Sequence, residues 1–229
     1  MRRDPDELRA RLRDARLMLV FTPEVAPERD RRELLTAVLD TVDIVQVRPK
    51  ALGAKAPGDA RATLELAREA LDVLAAERSG VPVIVNDRVD VALALADEGC
   101  AGVHLGQDDC PCAEARKMLG PDPLIGLSTH SMTEIVLAGE APVDYLGFGP
   151  AHGTSTKGYA KGHGAEACWV AAGGAAVPVF PIGGIDASNA QDLAEVGRAA
   201  VGSAVLCADD PAQAARTLRE LLTPQVERT

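Results

Sequence analysis

The sequence predicts an α/β protein, a single (β/α)8 TIM barrel with an extra N-terminal helix. Three observations predict it. Eight short apolar runs alternate with stretches of helical periodicity. No domain linker interrupts them, so residues 1–229 read as one barrel domain with residues 1–15 as a helical extension. Eight βα units in about 200–250 residues is the size of one closed barrel, to which right-handed crossovers lead. An open doubly wound sheet would want a glycine-rich turn after its first strand, and that strand instead ends Phe21-Thr22-Pro23-Glu24.

Taken in order, residues 6–15 form a charged helix and 16–22 an apolar strand stopped by Pro23. Leu34, Leu35, Val38 and Leu39 give residues 28–39 one apolar helical face. Residues 43–48 are strand two, and a long helix covers about 59–77. Strands three and four lie at 83–85 and 102–105, with a helix over 89–98 between them and Gly99 as its stop. Helix 111–119, strand 124–128, helix 132–138 and strand 145–149 follow. A glycine-rich loop runs to about 164, ahead of a helix containing Trp169. Strand seven is 179–182, and Ser188 is the expected N-cap of a helix over 188–196. Strand eight is 200–205, and Pro211 opens the last helix, 211–222.

The strand–helix–strand unit over 81–109 organises the rest. Its parallel neighbours end in Asn86-Asp87 and in Gln107-Asp108-Asp109, which brings carboxylates side by side at one sheet edge. Two such carboxylates, Asp87 with Asp109 or Asp108, suit a hard cation such as Mg²⁺. Helix N-capping is the structural alternative for each aspartate.

Composition narrows the partners. The net charge is −10 with no basic stripe, which argues against nucleic acid. No apolar run approaches the roughly 18–20 residues of a membrane span, and the charged N-terminus has no signal-peptide core. Five cysteines without a signal read as reduced thiols of a cytoplasmic protein. Cys110-Pro-Cys112 lacks a second pair and is read as two small apolar residues at a helix start. A homo-oligomer is compatible with all of this.

In a barrel the carboxyl ends of the strands build the site. Strand two offers Gln46, Arg48 and Lys50, alternate residues that share a face. Two cations beside a carboxylate pair suit a diphosphate. Strand five offers Ser128 and His130. The loop after strand six carries Thr154, Ser155, Thr156 and Lys157 between glycines, an anion cradle. Gly183-Gly184 and Gly202-Ser203 stand where barrels often bind phosphate through backbone N–H groups. Together they describe a site for phosphorylated small molecules. His104 reads as structural, and His130 reads as a hydrogen-bonding residue before it reads as an acid or base.

The ordered set Gln46-Val-Arg48-Pro-Lys50, Asn86-Asp87-Arg-Val-Asp90, Gly102-Val-His-Leu-Gly-Gln-Asp-Asp109, Gly126-Leu-Ser128-Thr-His130, Gly147-Phe-Gly-Pro150 with Thr154-Ser-Thr156-Lys157, and Ile182-Gly-Gly-Ile185 resembles the thiamine phosphate synthase family. The resemblance implies a barrel enzyme that joins hydroxymethylpyrimidine diphosphate to thiazole phosphate with loss of pyrophosphate. It implies Mg²⁺ on Asp87 and Asp109. It also implies pyrimidine diphosphate contacts from Gln46, Arg48, Lys50, Asn86, Ser128 and Lys157, with Arg48, Lys50, Ser128 and Lys157 catalytic. Thr154, Thr156, Gly184, Gly202 and Ser203 would hold the thiazole phosphate. Two positions depart from the family pattern: Pro49 replaces a glutamate, and Asp108 replaces another. Two other readings stay open: a thiazole tautomerase using His130 as base, and a non-catalytic barrel that senses a phosphorylated metabolite.

Overall fold

The computed structural model describes residues 4–49, 59–153 and 162–224. Its strands are β1 (Leu17–Phe21), β2 (Ile44–Val47), β3 (Val83–Asn86), β4 (Cys100–Leu105), β5 (Leu124–Thr129), β6 (Tyr145–Phe148), β7 (Val179–Pro181) and β8 (Ala199–Val201). All pair in parallel, in the order β7-β6-β5-β4-β3-β2-β1-β8. A parallel bridge between Ile182 and Ala200 joins the two edges and closes the barrel. The helices are α1 (Pro5–Asp14), α2 (Arg31–Thr36), α3 (Ala60–Ala76), α4 (Val89–Ala94), α5 (Cys112–Leu119), α6 (Met132–Ala138), α7 (Ala165–Gly174), α8 (Ser203–Leu206) and α9 (Pro211–Leu221). No helix among the described residues is long and apolar enough to cross a membrane.

Helix starts follow local chemistry. Asp4, Asp30, Asp59 and Asp210 each accept first-turn backbone N–H groups, and Ser131 does the same for Glu134. Strand β1 is buried along its whole length, because helices cover one face and the barrel interior the other. Leu17, Leu19 and Phe21 face the helical layer, within an aliphatic cluster that includes Val45, Val47, Val83, Val85, Val103 and Ile125. Met18, Val20, Ile44, Ile84, Leu124, Tyr145, Phe180 and Ala200 fill the interior.

Helix α1 plugs the amino end of the barrel. Leu8, Leu12 and Ala15 belong to the interior cluster. The Arg9 side chain donates to the Asp144 carboxylate and to the Pro121 carbonyl, below β6 and β5. Two aspartates staple this lower rim. Asp43 accepts from the backbone N–H groups of Arg16 and Leu17 and from Arg219. Asp144 accepts from the Ile125 N–H and from Arg116 as well as Arg9.

Three expectations are corrected. Strand eight is short: β8 stops at Val201, and 203–206 turns into helix α8, which buries Val205 and Leu206 against the outer cluster. The helix expected over 188–196 is a single 3-10 turn, Ala190–Leu193. Ser188 caps nothing there, since its N–H and hydroxyl both donate to Asp186. That local side-chain turn, completed by Asn189, competes with regular helix. The second helix is also shorter than expected, with turns after Thr36.

Because Leu12 is 2% exposed and seals the barrel floor, Leu12→Ala should cost about 2–5 kcal/mol. Urea denaturation followed by circular dichroism would measure this. A change below about 1 kcal/mol would mean the plug is not part of the core.

Candidate active site

The barrel mouth gathers the carboxyl ends of β1 to β8 on one face. Strand register defines who meets whom. Gln46 pairs with Ile84, Ile84 with Gly102, and Asn86 with His104. His104 pairs with Gly126, and Ser128 with Gly147. Gln46, Asn86, His104 and Ser128 therefore share the interior face, one step above the apolar layer of Ile44, Ile84, Leu124 and Tyr145.

Gln46 lies in the floor of the mouth, 3% exposed, with its amide on the Met18 sulphur at 3.8 Å. Arg48 continues that face, half-buried, and its N–H donates to the Phe21 carbonyl. His104, buried, bridges Tyr145 and Ser128: Nδ1 is 2.9 Å from the tyrosine oxygen and Nε2 is 2.9 Å from Ser128 Oγ. Glycine at 126 makes that bridge possible, since a Cβ there would overlap the Tyr145 ring and His104 Nδ1. Gln107 donates to the Ser128 carbonyl at 2.7 Å and so fixes the end of β5.

Asp87 adopts a left-handed backbone, φ 62°, directly after β3. Its N–H donates to the His104 carbonyl at 2.7 Å, which holds the β3 exit against β4. Aspartate tolerates this conformation better than most residues. Asp109 ends the turn after β4, and its Oδ2 accepts the Gly106 N–H at 2.7 Å. The two predicted carboxylates thus leave neighbouring strands at the same rim. Among the described residues no three His, Cys, Asp or Glu side chains form a metal-binding group. The donor set is then two carboxylates, one partly used by Gly106. That fits magnesium, which takes one or two carboxylates and leaves its other positions to water and phosphate.

Across the mouth, Gly183 and Gly184 both have positive φ, 99° and 64°. A Cβ at Gly184 would overlap the Gly153 carbonyl, so only glycine lets loops six and seven approach this closely. The two loops are tied by N–H bonds from Ala151 to the Ile182 carbonyl and from His152 to the Gly183 carbonyl. Gly202 leaves β8 and Ser203 begins α8 at the same rim. Burial and placement leave His152 Nε2 without a hydrogen-bond partner among the described residues.

His130 is not at the bottom of this mouth. Its N–H and Glu134 close the start of α6, at 2.6 Å, with Nδ1 3.4 Å from the same carboxylate. Lys50, Thr154, Thr156 and Lys157, all expected at the site, lie outside the described residues. Sequence reasoning left Tyr145 and Gln107 without a role and took His104 as structural. The signal for His104 and Tyr145 was strand parity: counting alternation from Gly102 along β4 and from Gly147 along β6 puts both rings inside the barrel.

Fold and mouth define a (β/α)8-barrel enzyme whose polar residues converge where the strands end. The family model for thiamine monophosphate synthase matches residues 17–205. A thiamine-phosphate synthase of Azorhizobium caulinodans is 41% identical over 214 residues, covering 91% of this chain and 95% of its own. One of Chloroflexus aurantiacus is 38% identical over 223 residues, covering 96% and 98%. The solved thiamine phosphate pyrophosphorylase of Pyrococcus furiosus superposes with a TM-score of 0.75 at 30% identity, covering 94% of this chain and 97% of its own. The chain belongs to the thiamine monophosphate synthase family, a family of transferases.

Since His130 serves the start of α6, His130→Asn should keep most of the condensation activity. Complete loss of turnover in a folded variant would return this residue to the chemistry.

Proposed function

We propose that the protein condenses 4-amino-2-methyl-5-hydroxymethylpyrimidine diphosphate with 4-methyl-5-hydroxyethylthiazole phosphate, or its carboxylated form, giving thiamine phosphate and pyrophosphate. The carrying observation is the convergence of Arg48, Asn86, Asp87 and Ser128 on one barrel mouth in a chain of this family. Gln46 supports the floor on which they stand.

The mouth has one cationic and carboxylate side, at β2 to β4, and one glycine side, at the ends of β7 and β8. The first suits the diphosphate and the second the thiazole phosphate, through close backbone N–H groups. Asp87 and Asp109 would hold Mg²⁺, which supplies positive charge for the diphosphate oxygens. Arg48, with Lys50 and Lys157 as further candidates, neutralises the charge that grows on the leaving pyrophosphate. The C–O bond of the pyrimidine methylene breaks, and its electron pair departs with pyrophosphate. The aminopyrimidine ring stabilises the resulting methylene cation. The lone pair of the thiazole nitrogen then forms the C–N bond. No side-chain nucleophile is needed, and the residues act by positioning and electrostatics.

Incubating the purified protein with both substrates, with Mg²⁺ or with EDTA, tests the reading through thiamine phosphate release. Metal-dependent product is expected. Isomerised thiazole phosphate carboxylate in its place would indicate the tautomerase, and neither reaction with retained phosphate binding would indicate a sensor. Asp87→Asn should reduce turnover by about 10²-fold or more. Unchanged Mg²⁺-dependent rates in that variant would remove Asp87 from the metal site.

A further inference from the structure

Three side chains in the floor of the mouth, Tyr145, His104 and Ser128, make one continuous hydrogen-bonded run. Tyr145 reaches His104 Nδ1 and His104 Nε2 reaches Ser128 Oγ, each at 2.9 Å. Donors and acceptors along it can be counted. The Tyr145 hydroxyl is fully buried, and among the described residues its one hydrogen-bond partner is His104 Nδ1, so its single proton goes there. Burial pushes the Tyr145 ionisation strongly upward, so that proton stays in place at neutral pH. Nδ1 of His104 is then an acceptor, and the ring proton sits on Nε2. That N–H donates to Ser128 Oγ, whose own proton has no acceptor among the described residues. The Ser128 carbonyl is pinned separately by Gln107.

We infer that Tyr145 and His104 form a one-way relay that locks His104 in its Nε2–H tautomer and turns the half-buried Ser128 hydroxyl outward as a hydrogen-bond donor to the substrate. With the opposite polarity, Ser128 would spend its proton on His104 and offer only lone pairs. The chemical partner it selects is an acceptor, such as a diphosphate oxygen gaining charge as its C–O bond breaks, and not an N–H₂ group. His104 and Tyr145 are positioning residues in this arrangement, because they act through Ser128. The ligand half of the inference rests on the pyrimidine diphosphate reading of the mouth. The tautomer half does not.

The two halves are tested separately. Protein carrying ¹⁵N-labelled histidine, without substrate, gives the tautomer through long-range ¹H–¹⁵N correlations. His104 should show a proton on Nε2 and a bare Nδ1, and a proton on Nδ1 would overturn the relay. Tyr145→Phe should remove this single-tautomer signature and lower kcat at least about tenfold with KM little changed. Wild-type tautomer and kcat in that variant would equally overturn it. His104→Gln can keep an N–H towards Ser128 and should retain more turnover than His104→Ala; equal losses would count against the relay. Ser128→Ala should lower kcat by about 10²- to 10³-fold, the effect of one lost preorganised donor. Normal turnover there, with the Nε2–H tautomer intact, would refute the ligand contact alone.

Discussion

Filling the inside of the barrel is the constraint on which the rest of this structure depends. Eight parallel strands turn alternate side chains into a narrow lumen, and every position there has to be occupied without voids. The lower part is filled by Met18, Ile44, Ile84, Leu124 and Phe180 and is closed from below by Leu8 and Leu12 of α1. Tyr145 spans the change from apolar to polar, packing edge-on against Phe180 at one end and bonding His104 at the other. Above it the lumen is polar, yet Gln46, His104 and Ser128 there are paired. Burying polar groups is tolerable only with such pairing. The apolar plug and the reactive mouth are thus two ends of one packed column.

Most of the barrel was legible because its strands are buried on both faces. Leu17–Phe21 and Ile44–Val47 are nearly unbroken apolar runs, and that signal survives without knowing the partner strands. The helices were legible from the spacing of their apolar residues, Leu34 and Leu35 of α2 among them, and the aspartate and serine caps that start them emerged only with the structure. Boundaries failed where two local structures compete for the same residues. Val201 and Val205 read as one strand, but the chain turns at Gly202 and buries Val205 from a helix. Ser188 has the identity of a cap, but Asp186 takes both of its donors.

The mouth was legible to the extent that strand ends mark it. Arg48, Asn86, Asp87, Asp109, Ser128 and the glycines after β7 and β8 all stand at the predicted rim. What a linear reading lacks is register. A histidine inside an apolar run carries no sign of its neighbours until β4 is paired with β5. Gly126 likewise looks like a strand weakness, whereas it is the space through which His104 and Tyr145 meet. Such glycines are defined by what fills their missing side chain.

The lower rim repeats itself. Asp43 ahead of β2 and Asp144 ahead of β6 each accept a strand N–H and an arginine, Arg219 of α9 or Arg116 of α5. Each also donates its own N–H to the facing strand, Asp43 to Leu17 and Asp144 to Ile125. The corners match, but the chain between their partners does not. Arg116 and Asp144 are 28 residues apart, whereas Arg219 and Asp43 are separated by 176. The ideal-chain entropy of closing the longer loop is greater by about 1.6 kcal/mol. Equivalent corners in the finished molecule are therefore unequal to assemble: the arginine of the β5–β6 corner is a near neighbour in sequence, whereas that of the Asp43 corner has to come back from the far end of the barrel.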